Sequence, residues 1–500
     1  MMNHWINYWT LAWIACPFLL GFIVYLLPTV SRYGALLGAL SSAAYATQLF
    51  LAPSPVNLKL LDHFGVSLLL DPLTGFFILT NALVTAAVLF YCWKHDKSPF
   101  FYAQVLLLHG SVNSAFACAD FMSLYVALEV ISIATFLLIA YPRSDRSLWI
   151  GLRYLFISNV AMLFYLVGTV LVYKAHHSFD FAGLRGAPPE AIALILLGLL
   201  VKGGIFVSGL WLPLTHSESD SPVSALMSGV VVKAAILPLA RCALLLEEID
   251  PIVRIFGVGT AVFGVAYAVV EKDAKRMLAF HTISQLGFIL AAPEVGGFYA
   301  LTHGLVKAAL FLIVGQLPSR NLKELQHQPI PLALWGAVVA ASFSISGFPL
   351  LAGFGAKVLT MKNLLPWQVV GMNIAALGTA ISFAKFIFLP VQTPSWALSG
   401  SPSPNPPVPA QKPRPVLPLS FWAAILILLG GLVGANLVYY DAYTLENVVK
   451  PLATIGLGWL AYWFIFRRWV VKLPRMFEQF DHLVGVMSLS LVLLFWMVLT

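Results

Sequence analysis

Five lysines stand inside apolar runs long enough to cross a membrane: Lys202, Lys233, Lys307, Lys357 and Lys385. A lysine at the bilayer centre costs about 2.5–3.5 kcal/mol to insert, so five without relief cost roughly 12–17 kcal/mol. Such residues line a polar pathway or snorkel to an interface. Lys385, whose run ends soon afterwards at Pro390, is the one best placed to snorkel. Glu129 is the acid that falls deep inside a run, and Tyr125, Ser132 and Thr135 give its helix face a polar stripe. A lone buried carboxyl takes up a proton, whereas one beside an ammonium can stay charged. Glu129–Lys202 is therefore the expected ion pair. His303 and Lys307 are four residues apart and share a helix face. Histidine changes charge near neutral pH, which suits His303 to relay protons. His281, in AFHTISQLGFIL, is placed near a span end beside Thr282, Ser284 and Gln285, as a relay or as structural glue. A row of lysines with a carboxylate at one end can pass protons by exchanging partners. The plainer alternative is a set of hydrogen bonds that hold helices together.

These side chains need helices that are interrupted inside the bilayer. LILLGLLVKGGIFVSGLWLPLTHSESDSPVSALMSGVVVKAAILPLAR carries Lys202 followed by Gly203 and Gly204. It is expected to break at Gly203-Gly204 and at Trp211-Leu212-Pro213, to turn at Ser221-Pro222 and to re-enter the membrane with Lys233 in mid-run. A second break is expected in the over-long run 331–363, at SISGFPLLAGFGAK, where Gly347, Pro349 and Gly353 stand close to Lys357. Lys202 and Lys357 thus each adjoin a break, and Lys233 and Lys385 each follow in the next run, as in a faint internal repeat. Transporters built from repeats place discontinuous helices at the membrane midplane.

Hydrophobic residues make up 60% of the 500 and charged residues 10%, far from the balance of a soluble domain. Sixteen apolar spans are expected, near 8–28, 33–52, 72–93, 100–118, 121–141, 149–173, 190–211, 223–245, 252–270, 276–292, 294–317, 331–363, 368–390, 419–440, 451–470 and 481–499. The first has no basic segment before it and reads as a span rather than a cleaved leader. The chain divides into N-terminal spans (1–71), a first region (72–250), a second region (251–390), a Pro/Ser-rich linker (391–418) and C-terminal spans (419–500). Cations gather in alternate loops, at Lys94/Lys97, Arg143/Arg146, Lys272/Lys275/Arg276, Arg320/Lys323 and Arg467/Arg468. These loops face the cytoplasm by the positive-inside rule, with both termini opposite. The net charge of +8 is explained by the same loops, and no nucleic-acid partner is expected. Four scattered cysteines (Cys16, Cys92, Cys118, Cys242) form no CxxC pair, which argues against an iron–sulfur centre or a disulfide framework. No nucleotide-binding glycine motif follows a strand-like segment.

Several stretches resemble the antiporter-like subunits shared by complex I (L, M and N type chains) and the Mrp-type cation/proton antiporters (A and D chains). They are the span around Glu129, KGGIFVSGLWLPLTHSESDSPVSALMSGVVVKA, KDAKRMLAFHTISQLGFIL, THGLVKAALFL and SISGFPLLAGFGAK, together covering roughly residues 70–390. The resemblance implies an all-α polytopic fold of about 14–16 transmembrane helices with two inverted five-helix repeats. It matches Glu129 and Lys202 to the family's acid and base on the fifth and seventh helices, and Lys233 to the lysine of the eighth. His303 with Lys307 match the eleventh, and Lys357 the terminal residue of the broken twelfth. It implies proton translocation through two half-channels joined by a hydrophilic axis, no cofactor or metal, and other membrane subunits as partners. The setting implied is a cytoplasmic, inner or equivalent energy-transducing membrane.

The D-type Mrp chain and the M/N type chains look closest, the D-type being taken as the nearest match, and Ser228 stands where L- and A-type chains commonly carry histidine. The expected function is a proton-translocating subunit of a multisubunit Na⁺/H⁺ antiporter. The alternatives are a pumping membrane-arm subunit of an NADH- or ferredoxin–quinone oxidoreductase, or a structural subunit with a vestigial channel. In either transport reading the chain is a transporter subunit rather than a catalyst. The segment Gly203–Ser208, the linker and the two extra C-terminal spans depart from the family pattern.

Overall fold

A computed structural model describes residues 2–52, 54–61, 65–392, 417–467 and 473–499. The linker 391–418 lies outside these apart from its ends. Helices occupy every expected span. In order they are α1 (Met2–Leu26), α2 (Ser31–Leu51), α3 (Pro72–Tyr91), α4 (Pro99–Ala117), α5 (Phe121–Ile139), α6 (Asp145–His176) and α7 (Pro189–Gly203). Then follow α8 (Trp211–Glu218), α9 (Ser221–Leu226), α10 (Lys233–Leu245), α11 (Ile249–Val270), α12 (Ala274–Ala291), α13 (Gly296–Val314) and the single turn α14 (Leu322–Leu325). The chain closes with α15 (Leu332–Ser346), α16 (Ala352–Lys362), α17 (Gln368–Ile387), α18 (Leu419–Val438), α19 (Leu445–Ala461) and α20 (Phe480–Leu499). Among the described residues, 13 helical segments are long and apolar enough to cross a membrane. α4 and α12 fall short because they carry polar residues such as His109, Asn113, His281 and Gln285, and α15–α16 because a break divides them.

Every residue of α12 and α13 is buried, so these helices form the centre. α1, α18, α19 and α20 surround it and turn Leu19, Phe22, Leu426, Leu457, Leu489 and Trp496 outward. Apolar faces of that extent suit lipid. Helix starts are fixed by side chains that accept from free backbone N–H groups: Asp71 from Thr74 (2.8 Å), Asp120 from Ser123 (2.7 Å) and Asp273 from Arg276 (2.9 Å).

Between α2 and α3 lies an antiparallel hairpin that the sequence reading merged with the N-terminal spans, β1 (Val56–Leu61) and β2 (Gly65–Leu70). Its Ser67 carbonyl accepts from Ala119 N–H (2.7 Å), and Asp120 accepts from Ser67 N–H (2.8 Å), docking the hairpin at the start of α5.

The two breaks share one design. α7 stops at Gly203, and Gly204 adopts a left-handed φ of 70°. Ile205 N–H then bonds to Leu200 O and Gly204 N–H to Val201 O, at 2.9 and 3.1 Å. α15 stops identically: Gly347 has φ 82°, Phe348 N–H bonds to Phe343 O at 2.9 Å, and Gly347 N–H to Ser344 O at 3.0 Å. Both are Schellman stops, which favour glycine because a Cβ is strained at positive φ. The first break therefore lies at the expected Gly203-Gly204 and not at Trp211-Leu212-Pro213. Pro213 sits in the first turn of α8 and Pro222 in that of α9, where helix N–H groups have no intrahelical partner in any case. Gly353 likewise belongs to the first turn of α16, whereas Pro349 lies within the second break. The lysines flank the breaks differently: Lys202 is two residues before its glycine, and Lys357 ten after.

Candidate functional site

Lys202, on the last turn of α7, is 4% exposed. Its ammonium donates to Ser132 on α5 and to Ser158 on α6 (2.5 Å), and these two hydroxyls bond to each other at 2.9 Å. The Tyr154 ring lies 5.8 Å from Nζ. Glu129 is within electrostatic reach of Lys202 but forms no ion pair with it among the described residues. The expected pair is corrected for a geometric reason. Glu129 is half-buried on a flank between Val126 and Ile133, which are 55% and 52% exposed, so it looks toward the outer surface. Ser132, less than one turn further on, faces the lysine.

The other four lysines share a different solution. Lys233 opens α10 directly after a π-helical turn at Met227–Val231. Its Nζ donates to the carbonyls of Ser228 (3.2 Å) and Gly229 (2.7 Å) within that turn. Lys307 donates to Leu278 O on α12. Lys357 reaches back across the second break to Ile345 O (3.2 Å) and Ser346 O (3.0 Å), at the open end of α15. Lys385 donates to Ala268 O (3.2 Å), Val269 O (2.7 Å) and Glu271 O (2.9 Å), at the open end of α11. It is half-buried and reaches the span end, as expected, where backbone carbonyls hold it. Carbonyls freed at helix ends and π turns carry partial negative charge, and a cation is favourable there. The second break thus holds Lys357, and the π turn holds Lys233.

His303 and Lys307 sit on fully buried α13. Both ring nitrogens of His303 lack a protein partner, and Lys233, Lys307 and His281 all act on the ring electrostatically. Gly304 places α13 against the π turn: a Cβ there would lie 2.9 Å from Gly229 O and 3.5 Å from Lys233 Nζ. A cavity of about 10 Å³ lies among Gln285, Tyr299, Thr302, His303 and Ser344, which is about the space of one water. His281 is mid-helix rather than near a span end, since α12 runs from Ala274 to Ala291. Its nitrogens also lack a protein partner, its ring packs 4.7 Å from Phe383, and Lys307, Lys385 and Lys357 act on it. The structure thus sets Lys233, His303, Lys307 and His281 in one central cluster, with Lys357 and Lys385 acting on its His281.

Sequence reasoning missed several members. Ser158 has no signal in its own segment and matters only because α6 packs beside α5. The Ser228–Thr282 hydroxyl pair (2.7 Å) and the Tyr299–Gln285 bond (2.7 Å) join the lining. His216 on α8 is fully buried beside the Leu212 backbone, under the influence of Lys307 and Lys275. Lys275, read from sequence as a loop cation, is 6% exposed and donates to Ser219 O (2.7 Å). A histidine inside the WLPLTHSE stretch was the available signal. No group of three or more metal-binding side chains comes together among the described residues.

The loop between α11 and α12 meets a strap leading into α20. Arg276 pairs with Glu271 (3.3 Å) and with Glu478 (2.6 Å), Arg475 pairs with Glu271 (3.3 Å), and Arg153 donates to Glu478 O. Burial alone would push the Glu271 carboxyl up. The backbone N–H groups of Lys272 and Asp273, with the Arg276 and Arg475 guanidiniums, outweigh it and hold the carboxyl below its usual 4.5. A carboxylate depressed by folding stabilises above its unfolded value, and that stabilisation is lost as pH falls through the folded value. Thermal unfolding of the wild type is therefore expected to show an extra loss of stability below about pH 4.5 that Glu271→Gln lacks, measurable by the pH dependence of Tm.

Residues 118–382 match the family described as NADH:quinone oxidoreductase/Mrp antiporter, TM. The chain is 31% identical to the N subunit of the NADH-quinone oxidoreductase of Desulforudis audaxviator over 433 residues, covering 77% of this chain and 84% of that protein. It is 29% identical over 326 residues to the D subunit of the Na(+)/H(+) antiporter of Alkalihalophilus pseudofirmus, covering 59% and 66%. Its fold is that of a chain in the membrane-bound sulfane sulfur reductase, an archaeal respiratory membrane complex, with TM-score 0.72, 22% identity and coverage of 90% and 98%. With its helices, broken spans and buried row of lysines, the chain belongs to the NADH:quinone oxidoreductase/Mrp antiporter family, as an antiporter-like, multi-pass integral membrane subunit.

Proposed function

We propose that this chain translocates protons along the row Glu129, Lys202, Lys233, His303, Lys307, His281, Lys357 and Lys385. The observation that carries the reading is the central cluster. Two lysines and two histidines are themselves buried, each lysine is held by oxygen atoms, and the ring nitrogens have no protein partner. Intramembrane ionisable groups facing a bundle interior mark proton relays. A histidine that only held helices together would bond to protein groups, and these two rings have no protein partner.

Partner subunits would couple the row to an energy source. A Na⁺/H⁺ antiporter assembly, expected from the sequence, is supported by the likeness to the antiporter relative. A redox-driven quinone oxidoreductase assembly has a longer and slightly higher identity behind it and stands as the second reading. Vesicles holding the assembled complex discriminate: a Na⁺ gradient moves protons in the first case, and a quinone with its electron donor does so in the second. In whichever assay is active, Glu129→Gln and Lys202→Met are each expected to lower proton flux at least about tenfold, equivalent to about 1.4 kcal/mol on the limiting step. Unchanged flux with intact assembly would overturn the proton-path reading.

A further inference from the structure

We propose that the cavity between the α11–α12 loop and the strap leading into α20 binds the headgroup of an anionic phospholipid. The cavity holds about 330 Å³ and is lined by Tyr267, Glu271, Lys272, Arg276, Arg475 and Glu478. Sites for small molecules span roughly 300–1,000 Å³. Three cations there face two carboxylates, and the carboxylates are already engaged. Glu271 accepts from the N–H groups of Lys272 and Asp273 and pairs with Arg276 and Arg475, while Glu478 pairs with Arg276. The cations have donors to spare. The Lys272 side chain makes no hydrogen bond or ion pair among the described residues. Arg475, whose side chain is 65% exposed, meets only Glu271, at 3.3 Å. An ammonium and a guanidinium with unused N–H groups suit one more anion, and a phosphate oxygen pair matches the guanidinium fork.

Position selects a lipid over a dissolved anion. In sequence the connection from α19 to α20 carries Arg467, Arg468, Lys472 and Arg475 with no acid among them. Such a cluster on the cytoplasmic side of a span attracts anionic lipid, and basic pockets between spans on that side take phospholipid headgroups. The rim of the cavity is apolar: Met476, Phe477 and Phe480 are 50%, 40% and 40% exposed. Below it, α11 and α20 both pack against the 3₁₀ segment Phe206–Leu210, which follows Gly204. Phe206 lies 5.6 Å from the Phe263 ring, and Phe206, Val207, Phe263 and Tyr267 are only half-buried. Val484 on α20 is 38% exposed. At 1.5 Å per residue Phe263 is about 10 Å below the cytoplasmic end of α11. One leaflet is roughly 15 Å deep. The acyl chains of a lipid held by the cavity therefore reach the first break, and they fasten α20, a span beyond the family pattern, beside it.

The test uses the assembled complex in phosphatidylcholine vesicles containing a minor fraction of phosphatidylglycerol. Each lipid in turn carries a photoactivatable diazirine on its acyl chain, and cross-linked peptides are mapped. The phosphatidylglycerol probe is expected to label residues 206–210, 259–270 and 480–487 at least about tenfold more per molecule than the phosphatidylcholine probe. The double variant Lys272→Gln, Arg475→Gln should lose that preference. Lys272→Gln alone, which breaks no ion pair, should lower it about fivefold. Lys323 is exposed on α14, outside the cavity, so Lys323→Gln removes the same charge and should leave the preference intact. Equal labelling by the two probes in the wild type would overturn the site. So would an equal loss in Lys323→Gln and Lys272→Gln, which would mark general attraction to a basic surface. Loss of labelling on addition of equimolar inorganic phosphate would assign the cavity to a free anion and overturn the lipid. Cross-linking needs no transport, so its outcome is independent of the proton path.

Discussion

Lys233→Met is expected to reduce proton flux at least about a hundredfold, about 2.7 kcal/mol on the limiting step, while the complex still assembles. Lys233 is completely buried, and its ammonium has two backbone carbonyls as its hydrogen-bond partners. Methionine fills nearly the same volume without a charge. Exchanging a buried ionic group for an apolar one of similar shape is often neutral or stabilising. Thermal stability should therefore stay within about 1–2 kcal/mol of wild type. Flux and stability part company, which separates a relay from a structural post. Lys233→Arg supplies the check: it keeps a positive charge but does not release a proton, and flux should be lost as in the methionine variant.

Gly347→Val should damage both properties at once. A non-glycine residue at φ 82° costs about 1–2 kcal/mol, and more when β-branched. The new Cβ would also lie 2.7 Å from Cδ of Lys357, so the lysine must leave the carbonyls of Ile345 and Ser346. A fall in Tm together with loss of most proton flux is expected. Gly336→Val is the control, because Gly336 lies on the same helix with nothing within 4 Å of a built Cβ. That variant should keep its flux, and a flux loss equal to that of Gly347→Val would refute the link between break and lysine.

Much of this fold was legible because lipid imposes a simple rule. A helix must be apolar for about 20 residues, and each expected span is helical in the structure. The lysines were legible for the converse reason, since each violates that rule. The hairpin 56–70 was hidden because its VNLKLL alternation is short and lies against a span. Of the two positions expected for the first break, the glycines hold and the proline does not: Gly204 ends α7 and Pro213 merely begins α8. The Glu129–Lys202 pair failed on orientation, for sequence shows that Glu129 shares a face with Ser132 but not which edge of that face meets α7. The partners of Lys233, Lys307, Lys357 and Lys385 were invisible altogether. They are backbone carbonyls, and every residue has one.

That choice of partner gives the row an internal reporter. A carbonyl oxygen neither gains nor loses a proton in the physiological range, so when Lys233 or Lys357 discharges, the recorded change is a weakened hydrogen bond to one identified peptide group. Its C=O stretch should rise in frequency at that moment. ¹³C placed in the carbonyls of Ser228 and Gly229, or of Ile345 and Ser346, would let infrared difference spectra time each lysine separately during turnover, without altering a side chain.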